Sequence, residues 1–206
     1  MVGLSPLGQL GSHPSDDACV PRTQLRYTLL SRDYGHRSHI VHFSHRLSLL
    51  GISQLPEVVA AHAAALKPGG IGIIHFIGHV GNFDTEFYIR KHIFPGGWIP
   101  SLAQAIDWME RCGLEVLDVE NLRRHYALTL DCWAERFDRN WEAIQALDPQ
   151  RFDETMRRKW RTYLWSCAEM FRSKNGRTHL FQVTVSKGNV ASHYPMSRAF
   201  LYRPPV

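Results

Sequence analysis

Long apolar runs are missing from this 206-residue chain. No stretch approaches the roughly 20 apolar residues that a membrane-spanning helix needs. The first residues also lack a charged segment followed by an apolar one. A protein neither secreted nor integral to a membrane is therefore expected. Cysteine is sparse: Cys19, Cys112, Cys132 and Cys167 form no CxxC pair and no regular framework, which argues against a disulfide-stapled scaffold and fits a reducing, cytoplasmic setting. Residues 1–22 have no apolar period at all. Rich in Gly, Ser, Pro and Asp, they read as a leader with little structure.

What is present is a soluble composition, 44% hydrophobic, in a chain long enough for one sizeable core. Lys and Arg number 24 against 19 Asp and Glu, a net +5 that favours an anionic partner. The positive charges gather in residues 151–161 and 172–177. They read either as a basic face or as an ordinary solvated helix face. Four histidines, His36, His39, His42 and His45, recur at every third position. A step of three drifts about 60° from the helical repeat at each interval and alternates faces on a strand, so the four do not converge on one ion. No metal site is assigned to them.

Order rises after Gly51. Ser53 is placed to cap a helix with Pro56 and Glu57 in its first turn and Val58, Val59, Ala63 and Leu66 at helical spacing. The turn Lys67-Pro-Gly-Gly70 ends it. Residues 71–77 form a continuous apolar run, the mark of a strand buried on both faces in an α/β sheet. Residues 78–97 read as a long, irregular or partly helical, aromatic-rich segment carrying Phe83, Phe87, Tyr88 and Phe94. That is the position, beyond a strand's carboxyl end, where α/β folds bind ligands. Helices are predicted over 102–112, 126–137, 140–147 and 152–171, strands over 114–119 and 178–187, and a frayed tail over 188–206. His75 at the strand end and Tyr163 in the last helix read, on these grounds alone, as a satisfied histidine and a core tyrosine.

The segments "LPEVVAAHAAALKPGGIGIIHFIG", "YIRKHIFPGGWIPS", "GLEVLDVENLRRHYALTLDCWAERF", "WRTYLWSCAEMFR" and "FQVTVSKG" follow one another in register from about Gly51 to Gly188, two-thirds of the chain. In that order they resemble the C-terminal half of the cyclopropane-fatty-acyl-phospholipid synthases and the related mycolic acid cyclopropane synthases. The resemblance implies an α/β fold, a partial Rossmann-like class I methyltransferase built from late strands plus helices, with the early part of the sheet missing or rewritten. Residues 1–50 are then a poorly ordered or rewritten leader, 51–188 the late part of the methyltransferase domain, and 189–206 a tail.

The resemblance further implies S-adenosylmethionine as methyl donor and a methylene bridge built across the double bond of a phospholipid acyl chain. Bicarbonate then serves as the base that removes the proton from the resulting cation. His75, Tyr163 and the backbone of Ile77 match the positions that hold this anion. The implied setting is cytoplasmic, peripheral to the inner membrane surface, with no nucleic acid and a separate chain completing the fold. Departures accompany the matches. The glycine-rich turn of the "LDIGCGWGG" type that grips the donor is absent, Cys19 has no matching surroundings, and the family's anion-contacting glutamate falls on Ser48. The departures favour a second reading, a non-catalytic lipid- or membrane-binding remnant.

Overall fold

The computed structural model describes residues 42–43, 55–190 and 194–202. Ser53 and most of the histidine ladder lie outside them, as does Ser48, and of His42 only the backbone is described. Helix α1, Leu55–Ala65, carries Glu57 in its first turn and buries Leu55, Val59 and Ala63. The turn that follows is tied to the far end of the sheet. The Gly69 N–H donates to the Lys187 carbonyl at 2.8 Å, and the Lys187 ammonium donates to the Leu66 carbonyl at 2.8 Å.

Four strands pair in the order β1-β2-β4-β3: β1 His42–Phe43, β2 Ile71–His79, β3 Leu114–Asn121 and β4 Thr178–Lys187. The pair β1–β2 is parallel, and β4 runs antiparallel to both β2 and β3. The 114 strand and the 71 strand therefore do not touch; β4 lies between them.

Side chains alternate across a strand and cross-strand partners share a face, so the register sorts the sheet into two sides. On one side Ile74 and Phe76 join Phe181, Val183, Val185 and Leu114 against α1 and against α2, Leu102–Arg111. Helix α2 begins at a reciprocal cap: Ser101 Oγ accepts the Gln104 N–H at 3.1 Å and Gln104 Oε1 accepts the Ser101 N–H at 2.8 Å. It stops at Gly113, whose φ of 75° suits a residue without a Cβ.

On the other side Ile77 and Leu180 pack beneath α3, Arg123–Arg139, and α5, Glu154–Arg172. The short α4, Trp141–Leu147, joins these two helices. They run antiparallel, held by Arg123 donating to the carbonyls of Phe171 at 2.5 Å and Ser173 at 3.0 Å, and by Arg172 pairing with Asp131 at 2.5 Å. The result is helix, sheet and helix in three layers, as the buried strand 71–77 requires.

Several boundaries differ from the sequence reading. Strand β2 runs two residues further, because the His79 N–H donates to Pro100 O at 2.8 Å and His79 pairs with Thr178. Helix α3 starts at Arg123, whose N–H is accepted by Asn121 Oδ1 at 3.0 Å. Within 78–97 the one helical piece is a π-helical turn, Ile89–Ile93. The tail also holds structure: a 3-10 turn, Arg198–Tyr202, is anchored by Arg198 on Asp118 at 3.0 Å.

Candidate functional site

The odd-numbered residues of β2 form the floor of the site. Ile77 belongs to the core under α3 and α5, and by alternation Ile73, His75 and His79 share its face. His75 and Ile77 are two positions apart, roughly 6–7 Å along the strand. Tyr163 comes down from α5 into the core that contains Ile77. The structure thus brings His75, Ile77 and Tyr163, the residues singled out by sequence, to one side of the sheet. His75 and Tyr163 are both buried, at 8% and 9% exposure.

Aromatic edges fix the tyrosine. Phe94 and Trp160 meet its ring edge-on, with centroids at 5.8 Å and 5.6 Å. The segment carrying Phe94 is pinned to α5 by the Tyr88 hydroxyl, which donates to the Lys159 carbonyl at 3.1 Å. Burial, and then the neighbouring Cys167, hold the Tyr163 phenol well above its usual range. It therefore remains an O–H donor at physiological pH. Burial likewise pushes the Cys167 thiol up to about 12, with the Glu86 carboxylate adding to the shift. Cys167 is a packing residue rather than a nucleophile.

Two further groups of polar residues were not singled out by sequence. The first is a row across three strands: His75 pairs in register with Gln182 of β4, and Gln182 with Glu120 of β3. Glu120 reaches this row because of a bulge in β3 between Val116 and Asp118. One extra residue exchanges the faces of everything beyond it, turning Asp118 and Glu120 toward the α3 and α5 side and Val119 away from it. A regular alternation read from the sequence hides this exchange. A lone buried glutamine in the otherwise apolar centre of β4 was the signal available.

The second group stands at the end of β2. His79, 1% exposed, lies with Nδ1 3.2 Å from Thr178 Oγ1, which donates to Glu86 Oε1 at 3.4 Å. Since the hydroxyl has one hydrogen and gives it to the carboxylate, Nδ1 carries the imidazole proton and donates to Oγ1. Nε2 is then a bare acceptor, buried and without a hydrogen-bond partner among the described residues. Burial lowers the His79 pKa from its ordinary 6.5, opposed by the Glu86 charge. His179 is shifted the same way, by partial burial and, in smaller measure, by the Arg123 charge.

A depressed imidazole pKa means that the unfolded chain binds more protons than the fold below about pH 6.5, so stability is full above that pH and declines as pH falls. The melting temperature is expected to drop between pH 7 and about pH 5, and His79→Asn is expected to flatten that drop. An unaltered slope in the variant would show that His79 does not titrate in this range.

No helix among the described residues is long and apolar enough to cross a membrane. No group of three or more metal-ligating side chains is found among them either.

Comparison with known proteins agrees with this architecture. The family model for mycolic acid cyclopropane synthetase matches residues 30–183, beginning upstream of Gly51 where the resemblance of motifs starts. Cyclopropane mycolic acid synthase 3 of Mycobacterium tuberculosis (strain H37Rv) is 32% identical over 157 residues, which are 75% of this chain and 51% of that protein. The cyclopropane-fatty-acyl-phospholipid synthase of Escherichia coli (strain K12) is 34% identical over 124 residues, 60% of this chain and 31% of that protein.

Among solved structures, mycolic acid cyclopropane synthase CmaA1 complexed with SAH and CTAB aligns with a TM-score of 0.58 at 27% identity, covering 68% of this chain and 52% of that one. The chain thus spans about half or less of the length of these relatives. Its α/β fold is that of the late strands and helices of a class I methyltransferase, and with three quarters of its length inside the family match the chain belongs to the mycolic acid cyclopropane synthetase family.

Proposed function

We propose that this chain provides the acyl-acceptor side of an S-adenosylmethionine-dependent alkylation of the cyclopropane-fatty-acyl-phospholipid synthase type, adding a methylene bridge to an unsaturated phospholipid acyl chain. The observation that carries the reading is the shared face of β2, which turns His75 and Ile77 toward α3 and α5, with Tyr163 entering the core that contains Ile77. S-adenosylmethionine, when bound, supplies an electrophilic methyl group. The described residues contain no glycine-rich turn of the kind that grips such a donor, so no step at the donor is assigned to them. That pocket falls to residues outside the described ones.

Bicarbonate, when bound, supplies a small proton acceptor. The donor set suits such an anion: Tyr163 stays protonated, His75 offers a ring N–H, and both sit where few competing waters reach. Those side chains and the Ile77 backbone would hold it. The aromatic edges around Tyr163 exclude water and keep the phenol oriented. This activity belongs at the cytoplasmic side of the inner membrane.

A second reading, a non-catalytic lipid-binding remnant, is favoured by Ser48, where the family's anion-contacting acid would stand. Calorimetric titration with S-adenosylmethionine, together with transfer of its labelled methyl carbon to vesicles of cis-unsaturated phospholipid, separates the two. Measurable binding and label in the acyl chains are expected. A flat titration at millimolar donor with no label in lipid would overturn the catalytic reading and leave the remnant.

A further inference from the structure

The aromatic residues between β2 and α2 divide into an inward and an outward set. Phe94 faces Tyr163, whereas Phe83 and Phe87 are 40% and 66% exposed and adjoin Val80 at 52%. Each outward ring carries a cation: the Arg177 guanidinium lies 4.1 Å from the Phe83 centroid and the Lys91 ammonium 5.2 Å from that of Phe87. The two loops involved are joined by the Val80 N–H donating to the Arg177 carbonyl at 2.8 Å.

Charge is distributed in a way that composition does not reveal. On α5, read from sequence either as a basic face or as a solvated helix face, three of the five cations are paired, Arg157 with Glu154, Arg161 with Asp138 and Arg172 with Asp131, which leaves Arg158 and Lys159. Arg90, Lys91, Lys174 and Arg177, on the two segments flanking the end of β2, form no ion pair among the described residues. The acids on these segments are Asp84 and Glu86, two carboxylates against four cations. Unpaired cations over exposed rings match the layering of an anionic bilayer, where phosphates lie outside the acyl boundary.

We propose that Val80, Phe83 and Phe87, with Lys91 and Arg177, form the surface on which this chain docks to an anionic phospholipid membrane. The rings enter the acyl boundary and the cations meet the phosphates. The surface follows directly on the carboxyl end of β2, so docking there delivers acyl chains to the His75 and Ile77 face. The proposal rests on the acyl-acceptor reading of that face.

Co-sedimentation of the full chain with vesicles of phosphatidylcholine alone, and with about one third phosphatidylglycerol added, tests it. Partitioning is expected to rise with phosphatidylglycerol, to fall with salt, and to drop about tenfold or more in Phe83→Ser/Phe87→Ser and in Lys91→Glu/Arg177→Glu. Circular dichroism establishes that the variants are folded. Binding indifferent to phosphatidylglycerol, or undiminished in folded variants, overturns the proposal. So does a variant that loses only concentration-dependent self-association, which would make the patch a protein interface. Tryptophan fluorescence quenching by monomeric oleate distinguishes the two levels: oleate binding without docking sinks the surface alone, whereas docking without oleate binding sinks the acyl-site reading.

Discussion

Phe171→Ala is expected to destabilise the chain by about 3–5 kcal/mol, the range for deleting a fully buried phenylalanine. The ring is 1% exposed and meets Tyr126 edge-on at 4.8 Å, in the core that joins α3, α5 and Leu180 of β4. Three losses add: the transfer free energy of the ring, the dispersion contacts of its neighbours, and the cavity that a rigid pair of antiparallel helices closes only partly. Collapse is hindered further because Arg123 fixes the Phe171 carbonyl at 2.5 Å, holding the backbone in place around the hole. For a chain of this size each kcal/mol lowers the melting temperature by about 2–4 °C, so a fall of roughly 6–20 °C should appear in thermal denaturation. Leu147→Ala, at a residue 78% exposed, should stay within about 0.5 kcal/mol of the parent chain. A loss below about 1 kcal/mol for Phe171→Ala would mean that the second core does not hold the helical layer to the sheet.

How far the sequence discloses this architecture depends on whether local pattern or long-range contact decides each element. Strand β4 was readable to the residue, from 178 to 187, because its period is local and Gly188 follows it at a φ of 72°. The run 71–77 was recognisable from hydrophobicity alone, yet its last turn of pairing was not. His79 looks like a loop residue until Thr178 and Pro100 are brought beside it from distant positions. The same holds for the start of α3, read from sequence at 126 but beginning at Arg123, whose N–H Asn121 Oδ1 accepts from the end of β3.

The site divides along the same line. His75, Ile77 and Tyr163 were found through resemblance of motifs, whereas Gln182 and Glu120 join His75 only through register and a bulge, features that no single segment encodes. Glu120 supplies a carboxylate to the His75 face from β3.

Tyr163→Phe is expected to lower the turnover of lipid alkylation by about 10²- to 10³-fold, the effect of removing one donor aimed at a reacting anion. The substitution keeps the ring, and with it the edge contacts to Phe94 at 5.8 Å and Trp160 at 5.6 Å, so packing is preserved and only the hydroxyl is lost. His75→Ala removes a donor together with the side chain that fills the centre of β2, and is expected to cost about 10²- to 10⁴-fold. In both, kcat should fall while the KM for lipid stays near its parent value, because the lost hydrogen bonds act on the proton acceptor and not on the acyl chain. Raising bicarbonate should restore part of the rate in Tyr163→Phe, since a site short of one donor binds the anion more weakly but still binds it. The measurement is label transferred from S-adenosylmethionine into phospholipid at several bicarbonate concentrations. Unchanged turnover in folded variants would return His75 and Tyr163 to what their burial alone implies, a strand-end histidine and a core tyrosine. The lipid-binding reading would then account for the chain, with the phenylalanine patch beyond β2 as its working surface.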